Sequence, residues 1–416
     1  MRVLLVNTSD SAGGAAIAAR RLLSALNNHG VQATMLVRDK LTDHLRIKQL
    51  PPSPLLRAKF ALERAEIFAT NGFSRENLFA VDHATHGYDI THLPEFEQAD
   101  VIHLHWINQG MLSLSDIRKV LTSGKRIVWT LHDMWPCTGV CHQSAGCEGW
   151  LQECGNCPQL RGGGSEKDLS HTTFLRKQKT YAAGHIHFVA CSDWLADIAR
   201  RAPLLKGHDV ASIPNPIDMN FFRPGSQQEA RQKLGLPQDK KLILFVAFNA
   251  TDRRKGIDYL KESVEILKKQ YGKLIDSIAV VPVGRDAEAL RGQFACEVLP
   301  QPYVTDETTM RLLYNAADAL AMPTLMDNLP NTIVEAMACG LPCVGFNVGG
   351  LPQMIDHGVN GYLAQLKDAA DFAQGLTHIL FSEHGGSFVQ AARRKAERHY
   401  SEQAVATQYI KIYEQG

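Results

Sequence analysis

Four groups of residues in this chain have the types and spacing to do chemistry. The first is a carboxylate pair, Asp327 and Glu335, in Thr324-Leu-Met-Asp-Asn-Leu-Pro-Asn-Thr-Ile-Val-Glu-Ala-Met-Ala-Cys-Gly340. Pro330 breaks helix, Asn331 is a good N-cap and Gly340 a good stop, so Thr332 to Cys339 reads as a helix with Glu335 on its first turn. The start of such a helix offers unpaired N–H groups and a positive dipole end, which suits a phosphate. One carboxylate before the helix and one on it could hold hydroxyls on either side of that phosphate. The plainer alternative for Glu335 is a dipole-favoured carboxylate, worth about 0.3–1 kcal/mol. The second group is Thr251-Asp-Arg-Arg-Lys-Gly256, three consecutive cations where a helix begins. They repel the dipole and one another unless an anion sits there, and a diphosphate would relieve that repulsion.

The third group is His132, directly after the apolar run Arg126 to Leu131. An imidazole at the carboxyl end of a parallel strand sits where ligands bind and can donate to, or carry a proton for, a hydroxyl. His103, His105 and Trp106 end a similar run and could line the same side. The fourth is the cysteine cluster: of nine cysteines, five fall between Cys137 and Cys157. From Cys141 the spacing is C-x5-C-x6-C-x2-C, through Cys147, Cys154 and Cys157. The last pair could seat one tetrahedral ion and the first pair complete a four-thiolate shell. The segment has little apolar content, so some staple is needed, and structural zinc can contribute on the order of 10 kcal/mol. Disulfides and free thiols remain alternatives, and Cys137 or His142 could substitute within the ligand set.

The elements that must position these groups follow a strand–loop–helix rhythm. Arg2 to Val6 reads as a strand, Ala15 to His29 as a helix, and Gly13 and Gly14 between them allow close backbone approach to an anion. Further strands are expected at Val31 to Val37, Val101 to Trp106, Arg126 to Leu131 and His187 to Cys191. After the proline-rich stretch 213–224 the pattern restarts with strands at Leu242 to Phe248, Ile278 to Val283, Glu297 to Leu299, Asp318 to Pro323 and Pro342 to Phe346. The loop Asp327-Asn328-Leu329-Pro330-Asn331 then lies at the carboxyl end of a strand, where open α/β sheets take their ligands. The expected fold class is α/β, two facing Rossmann-like domains with a cleft between them. The domains are 1–212, with the cysteine-rich loop 137–157, and 225–400. A hinge at 213–224 joins them, and 401–416 is a last helix. Pro51 to Thr70 reads as a helix with Leu56, Phe60 and Ile67 on one side and Arg57, Lys59 and Arg64 nearby. A basic amphipathic helix of this kind would suit a membrane-linked partner, although packing on the sheet is the simpler reading.

The 416 residues fit two domains of about 200. A formal net charge of +1 gives no field that would favour nucleic acid. No apolar run approaches the roughly 20 residues that span a bilayer, and the short run after Met1 does not make a signal-peptide core. The expected location is the cytoplasm, with peripheral contact at the inner face of the membrane. G-x-G-x-x-G is absent, which counts against a dinucleotide dehydrogenase.

The carboxylate-x7-Glu pattern, Arg254-Lys255-Gly256 and the His132 strand end together resemble retaining glycosyltransferases of the two-Rossmann-domain (GT-B) type, family 4. Asn215 and Asp218 match a further segment, and the cysteine-rich loop is similar to one in an exopolysaccharide-biosynthesis subgroup. The resemblance implies transfer of a sugar from a nucleoside-diphosphate sugar to a hydroxyl acceptor, saccharide or polyprenyl-linked, with retention at the anomeric carbon. It implies that Glu335 holds the ribose and Asp327 the donor sugar. Lys255 with Arg253 or Arg254 would hold the diphosphate, and Gly13 and Gly14 would face it. His132 would orient a donor hydroxyl, and no metal would be needed at the reaction centre. Asp327 is one methylene shorter than the family's usual Glu, and Asn249 stands where the family has an Arg. The rivals are a nucleotide-sugar epimerase, which needs no acceptor, and a non-enzymatic binding scaffold built on the cysteine loop.

Overall fold

Short runs rich in Val, Ile, Leu and Ala build two parallel sheets, each buried on both faces. The computed structural model describes all residues but 52–53, 76, 383–384 and 416, and for 54–57 and 385 the backbone alone. Two compact units result, Met1–Pro216 with Val405–Gly416, and Ile217–Ala404.

The first unit contains β1 (Arg2–Ser9), β2 (Gln32–Asp39), β3 (Ile47–Gln49), β4 (Val101–Leu104), β5 (Arg126–Leu131), β6 (His187–Ala190) and β7 (Asp209–Ser212). Their order is β3-β2-β1-β4-β5-β6-β7, with every pairing parallel. Alternation along β1 sends Leu4 and Val6 to one core and Val3 and Leu5 to the other. The second of these cores is covered by the helix Gly14–Asn28 and by Val405, Tyr409 and Tyr413 of the helix Glu402–Glu414.

The second unit contains β8 (Lys241–Asn249), β9 (Ile278–Arg285), β10 (Glu297–Val298), β11 (Ala319–Met322), β12 (Cys343–Phe346) and β13 (Gly361–Ala364), in the order β10-β9-β8-β11-β12-β13, again all parallel. The chain reverses its direction of travel across the sheet between β1 and β4 in the first unit and between β8 and β11 in the second. Those are the two switch points at which doubly wound sheets open a crevice at the carboxyl ends of their strands.

The proline-rich stretch is in part a packed strap. Ile217 and Phe222 are fully buried, the Ile217 N–H donates to the Tyr400 carbonyl (2.8 Å), and Arg393 donates to the carbonyls of Phe222 (2.7 Å) and Met219 (3.0 Å). These apolar anchors, invisible in the proline count, fix 217–222 to the second unit. The helix Pro54–Thr70 carries Ile67 inward as expected, but Arg64 is buried against Asp82 (3.0 Å) and Lys59 donates to the Gly87 carbonyl (3.0 Å). Two of its three cations are therefore spent on internal ties; Leu56 and Arg57 lie outside the described side chains. No described helix is long and apolar enough to cross a membrane.

Candidate functional site

In the second unit three loops meet at the carboxyl ends of β8, β11 and β12. Gly256 (φ 78°) approaches β11 so closely that a Cβ would lie 1.7 Å from the Pro323 carbonyl oxygen. The Leu325 N–H donates to the Arg254 carbonyl (3.0 Å), which pins the loop after β11 to the loop after β8. Gly349 (φ 58°) leaves no room for a Cβ beside the Asp327 carbonyl, 2.0 Å away, and the Gly350 N–H donates to that oxygen (3.2 Å). Only glycine satisfies both the left-handed backbone and the close approach.

This framework brings Lys255 and Asp327 together, Nζ to Oδ2 at 2.6 Å, each side chain part-exposed. The Asn328 N–H donates to the other Asp327 oxygen (3.1 Å). Leu329 is buried and anchors the loop, while Asn328, Pro330 and Asn331 are half-buried. The helix runs Asn331–Ala338 with Pro330 at its N-cap position and no side-chain cap bond, so Asn331 is its first residue rather than its cap. Glu335 falls in the second turn, not the first, and is buried. It accepts a 2.6 Å hydrogen bond from the hydroxyl of the buried Tyr314. Tyr314 was not singled out in the sequence; it lies 21 positions from Glu335 on a different helix, and no local pattern links the two.

The electrostatic argument from three unopposed cations does not hold. Arg253 bonds Asp258 (2.6 Å), Arg254 grips both oxygens of Asp252 (3.2 and 2.9 Å), and Lys255 has Asp327. Three carboxylates relieve the repulsion within the protein, one of them 72 residues away in sequence. Both arginines are largely exposed and such pairs are worth little, so a ligand phosphate could draw either arginine away.

In the first unit Gly13 and Gly14 are exposed at the start of the helix after β1. The loops flanking this switch point are tied by the Thr8 N–H to the Trp106 carbonyl (2.9 Å) and the Trp106 N–H to Asn7 Oδ1 (2.8 Å). His132, half-buried at the end of β5, has Nε2 3.0 Å from Nδ1 of His105. Burial pushes His132 down to about 4, against the pull of Asp133, and holds His105 far below the ordinary imidazole value. Both rings are therefore neutral at pH 7, and His105 Nε2 is a buried nitrogen without a hydrogen-bond partner. His103, expected to line the acceptor side, is instead a core residue. It bridges Tyr413 and Thr130, both at 2.7 Å, and burial lowers it to about 3. Asp133, which adjacency to His132 could have flagged, accepts from Trp106 Nε1 (2.9 Å), the Trp135 N–H (2.9 Å) and His142 Nδ1 (2.7 Å). Although burial opposes it, the Asp133 carboxylate raises His142 above its usual value.

Cys141, Cys147, Cys154 and Cys157 line one small cavity, and all are free thiols. Cys137 is fully buried elsewhere, against Lys177 and Tyr181, and His142 is committed to Asp133, so neither belongs to that cavity.

A family model described as Glycosyltransferase Family 4 matches residues 12–221, and one described as Glycosyl transferases group 1 matches residues 240–381. D-inositol 3-phosphate glycosyltransferase of Mycobacterium tuberculosis (strain ATCC 25618 / H37Rv) is 32% identical over 197 residues, 44% of this chain and 39% of that protein. The match thus spans well under half of that relative's length. Among solved structures, sucrose-phosphate synthase from Thermosynechococcus elongatus is similar with a TM-score of 0.67 at 20% identity, covering 100% of this chain and 98% of that one. Anabaena HepE in complex with UDP gives 0.64 at 15% identity, with 99% of each chain covered. WaaG, a glycosyltransferase involved in lipopolysaccharide biosynthesis, gives 0.61 at 17%, with 100% of each chain covered. These likenesses identify the two Rossmann-like units as the GT-B fold, and the first family model alone matches half the chain: the chain belongs to glycosyltransferase family 4.

Proposed function

We propose that this chain transfers a sugar from a nucleoside-diphosphate sugar to a hydroxyl acceptor with retention of anomeric configuration. The acceptor would be a saccharide or lipid-linked saccharide of surface polysaccharide assembly, met at the cytoplasmic face of the membrane. The observation that carries the reading is the Lys255–Asp327 pair, held beside a helix N-terminus and the buried Glu335 at the switch point of the second sheet. A cation, an anion and backbone N–H groups within one loop cluster are what a sugar diphosphate needs. On donor binding, Lys255 would turn from Asp327 to the diphosphate, and Asp327 would accept from sugar hydroxyls. Glu335, one oxygen already fixed by Tyr314, would present the other to the ribose. Arg253 or Arg254 would leave its exposed carboxylate to share the phosphate charge, which Lys255 and the helix N-terminus also neutralise without a divalent ion. Neutral His132 would hold or pass a proton at a donor hydroxyl.

That HepE has been solved with UDP and with UDP-glucose supports starting with uridine donors. Calorimetric titration with UDP, GDP and ADP, followed by NMR of the anomeric proton in the product, tests the reading. Binding of one diphosphate and an axial-to-axial outcome from an α-linked donor are expected. No binding by a folded chain would overturn it. Product formed from donor alone, without acceptor, would point to an epimerase.

A further inference from the structure

The cysteine-rich segment that follows His132 and Asp133 has no sheet or α-helix of its own until Leu169, only the single turns Trp135–Cys137, Gly149–Leu151 and Arg161–Gly163. Met134, Trp135, Cys137 and Trp150 anchor it in the main core of the first unit, whereas around the other cysteines only Val140, Cys157 and Leu160 form a small cluster with Ile67 and Val81. Four of its cysteines nevertheless border one space. Cys141, Cys147, Cys154 and Cys157 line a cavity of about 20 Å³, room for a single atom-sized occupant.

Two of the sulfurs already accept backbone N–H groups, Cys147 from Gly149 (3.4 Å) and Cys154 from Gly139 (3.3 Å). Such bonds hold thiolate ligands in orientation. The Cys154-Gly155-Asn156-Cys157 turn carries three successive positive φ angles (54°, 113° and 46°), two of them on residues with side chains. Left-handed non-glycine residues are disfavoured and persist where surroundings enforce them. A charge partner is also present. Lys177 is fully buried, 3.4 Å above the Trp135 ring, bonded to the Trp135 (2.6 Å) and Thr138 (2.9 Å) carbonyls and within electrostatic reach of Asp82, Cys141, Cys154 and Asp133. Among the described residues no ion pair within 4.0 Å involves it.

We propose that Cys141, Cys147, Cys154 and Cys157 bind one zinc ion that staples this segment beneath the His132–Asp133 strand end. Each thiol gives up its proton on binding, and the resulting four-thiolate shell carries a net charge of −2, which the protonated form of Lys177, lowered by burial to about 7, would half offset. No three of these sulfurs gather within 4.8 Å among the described residues; the shell closes to S–S separations of about 3.8 Å around an ion with bonds of about 2.3 Å. The staple has a functional address. The His142 imidazole bonds Asp133 (2.7 Å), the His142 carbonyl accepts the Met134 N–H (2.9 Å), and Val140 and His142 bracket Asp82 and Ala80 by backbone bonds. Zinc loss should therefore loosen the His132 end, whose residues belong to the first unit, and leave nucleotide binding by the second unit unchanged. The inference does not depend on the transfer reading.

The full chain is purified with reductant from zinc-supplemented medium, assayed for metal, then stripped and reloaded with Co²⁺. About one zinc per chain is expected, with a cobalt spectrum showing sulfur-to-cobalt charge transfer and tetrahedral d–d bands. Cys154→Ser/Cys157→Ser should lose the metal, and should it fail to fold, the wild-type cobalt spectrum decides alone. His185→Ala should keep the metal; among the described residues His185, His187 and Asp209 are the group whose ligand atoms already lie within 4.8 Å of one another. A folded chain that takes up neither metal, a cobalt spectrum without thiolate bands, disulfides among these four cysteines in peptide maps, or metal lost only in His185→Ala would each overturn the proposal.

Discussion

The Lys255–Asp327 pair makes a prediction in which two neighbouring substitutions act in opposite directions. Both side chains are part-exposed, so their mutual attraction contributes only about 0.5–1 kcal/mol to stability. A charged hydrogen bond from Lys255 to a bound diphosphate is worth about 1.5–3 kcal/mol. Lys255→Met should therefore weaken UDP binding roughly ten- to hundredfold while lowering the melting temperature little. Asp327→Asn retains an oxygen for the Asn328 N–H and leaves the Asp327 backbone carbonyl with Gly350, so the loop should stand. It also removes the anion that competes with UDP for Lys255. UDP should then bind more tightly, by roughly two- to fivefold, the reverse of what loss of a binding residue would do. Turnover of the intact donor should fall in both variants, because Asp327 is assigned to the sugar. Calorimetry at one ionic strength, with melting curves for all three proteins, measures each quantity. If Asp327→Asn weakens UDP binding as much as Lys255→Met does, the pair is a structural clasp and the exchange of partners is refuted.

Removing the Tyr314 hydroxyl by Tyr314→Phe leaves a buried Glu335 oxygen without that donor. A loss of about 1–3 kcal/mol is expected in urea unfolding, and an unchanged midpoint would contradict the buried bond. Gly256→Ala places a methyl against the Pro323 carbonyl at a left-handed backbone position; a drop of at least about 2 kcal/mol is expected, and a neutral result would show that the two loops do not meet as described. Acid should destabilise the first unit through its histidines. His103, His105 and His132 are all depressed by burial, so below about pH 6.5 the unfolded chain binds protons that the folded chain refuses. Their contribution is intact above that value and is lost progressively towards pH 4. A urea midpoint that rises between pH 7.5 and 5.5 would reverse the sign and refute the neutral assignment.

The sheets were readable because their strands are short apolar runs closed by glycine and polar turns. The ones missed, β3, β7 and β13, lie at sheet edges, where a strand of three or four residues leaves little apolar signature. Within the candidate site, residues on one loop were visible together, as in Asp327 to Asn331. Partnerships across loops were not. For Lys255 the partner Asp327 stands 72 positions away, whereas Asp252 and Asp258, which pair with the two arginines, stood in plain view beside the run; Tyr314 was invisible because a strand and a loop separate its helix from that of Glu335. His103 and His105 illustrate the period-2 rule from the other side. They sit two apart and face alike, yet one pairs with Tyr413 near the far end of the chain while the other meets His132. Spacing gave their shared face and no hint of their different partners.

The helix that carries Tyr409 and Tyr413 has a consequence for the order of events during synthesis. Residues 1–216 leave the ribosome with one face of their sheet only partly covered, by the helix Gly14–Asn28, and with His103 and Thr130 lacking the tyrosine hydroxyls they bond in the finished protein. The covering segment emerges only after the whole of 217–404 has been made, at a rate of about 5–20 residues per second. The second unit is in effect an insertion in the first, and it can complete its own core while the first waits. For roughly ten seconds or more the nascent first unit lacks Tyr409 and Tyr413 over His103 and Thr130, which have each other as partners but not the tyrosine hydroxyls, and that interval is when a holding chaperone would find the chain.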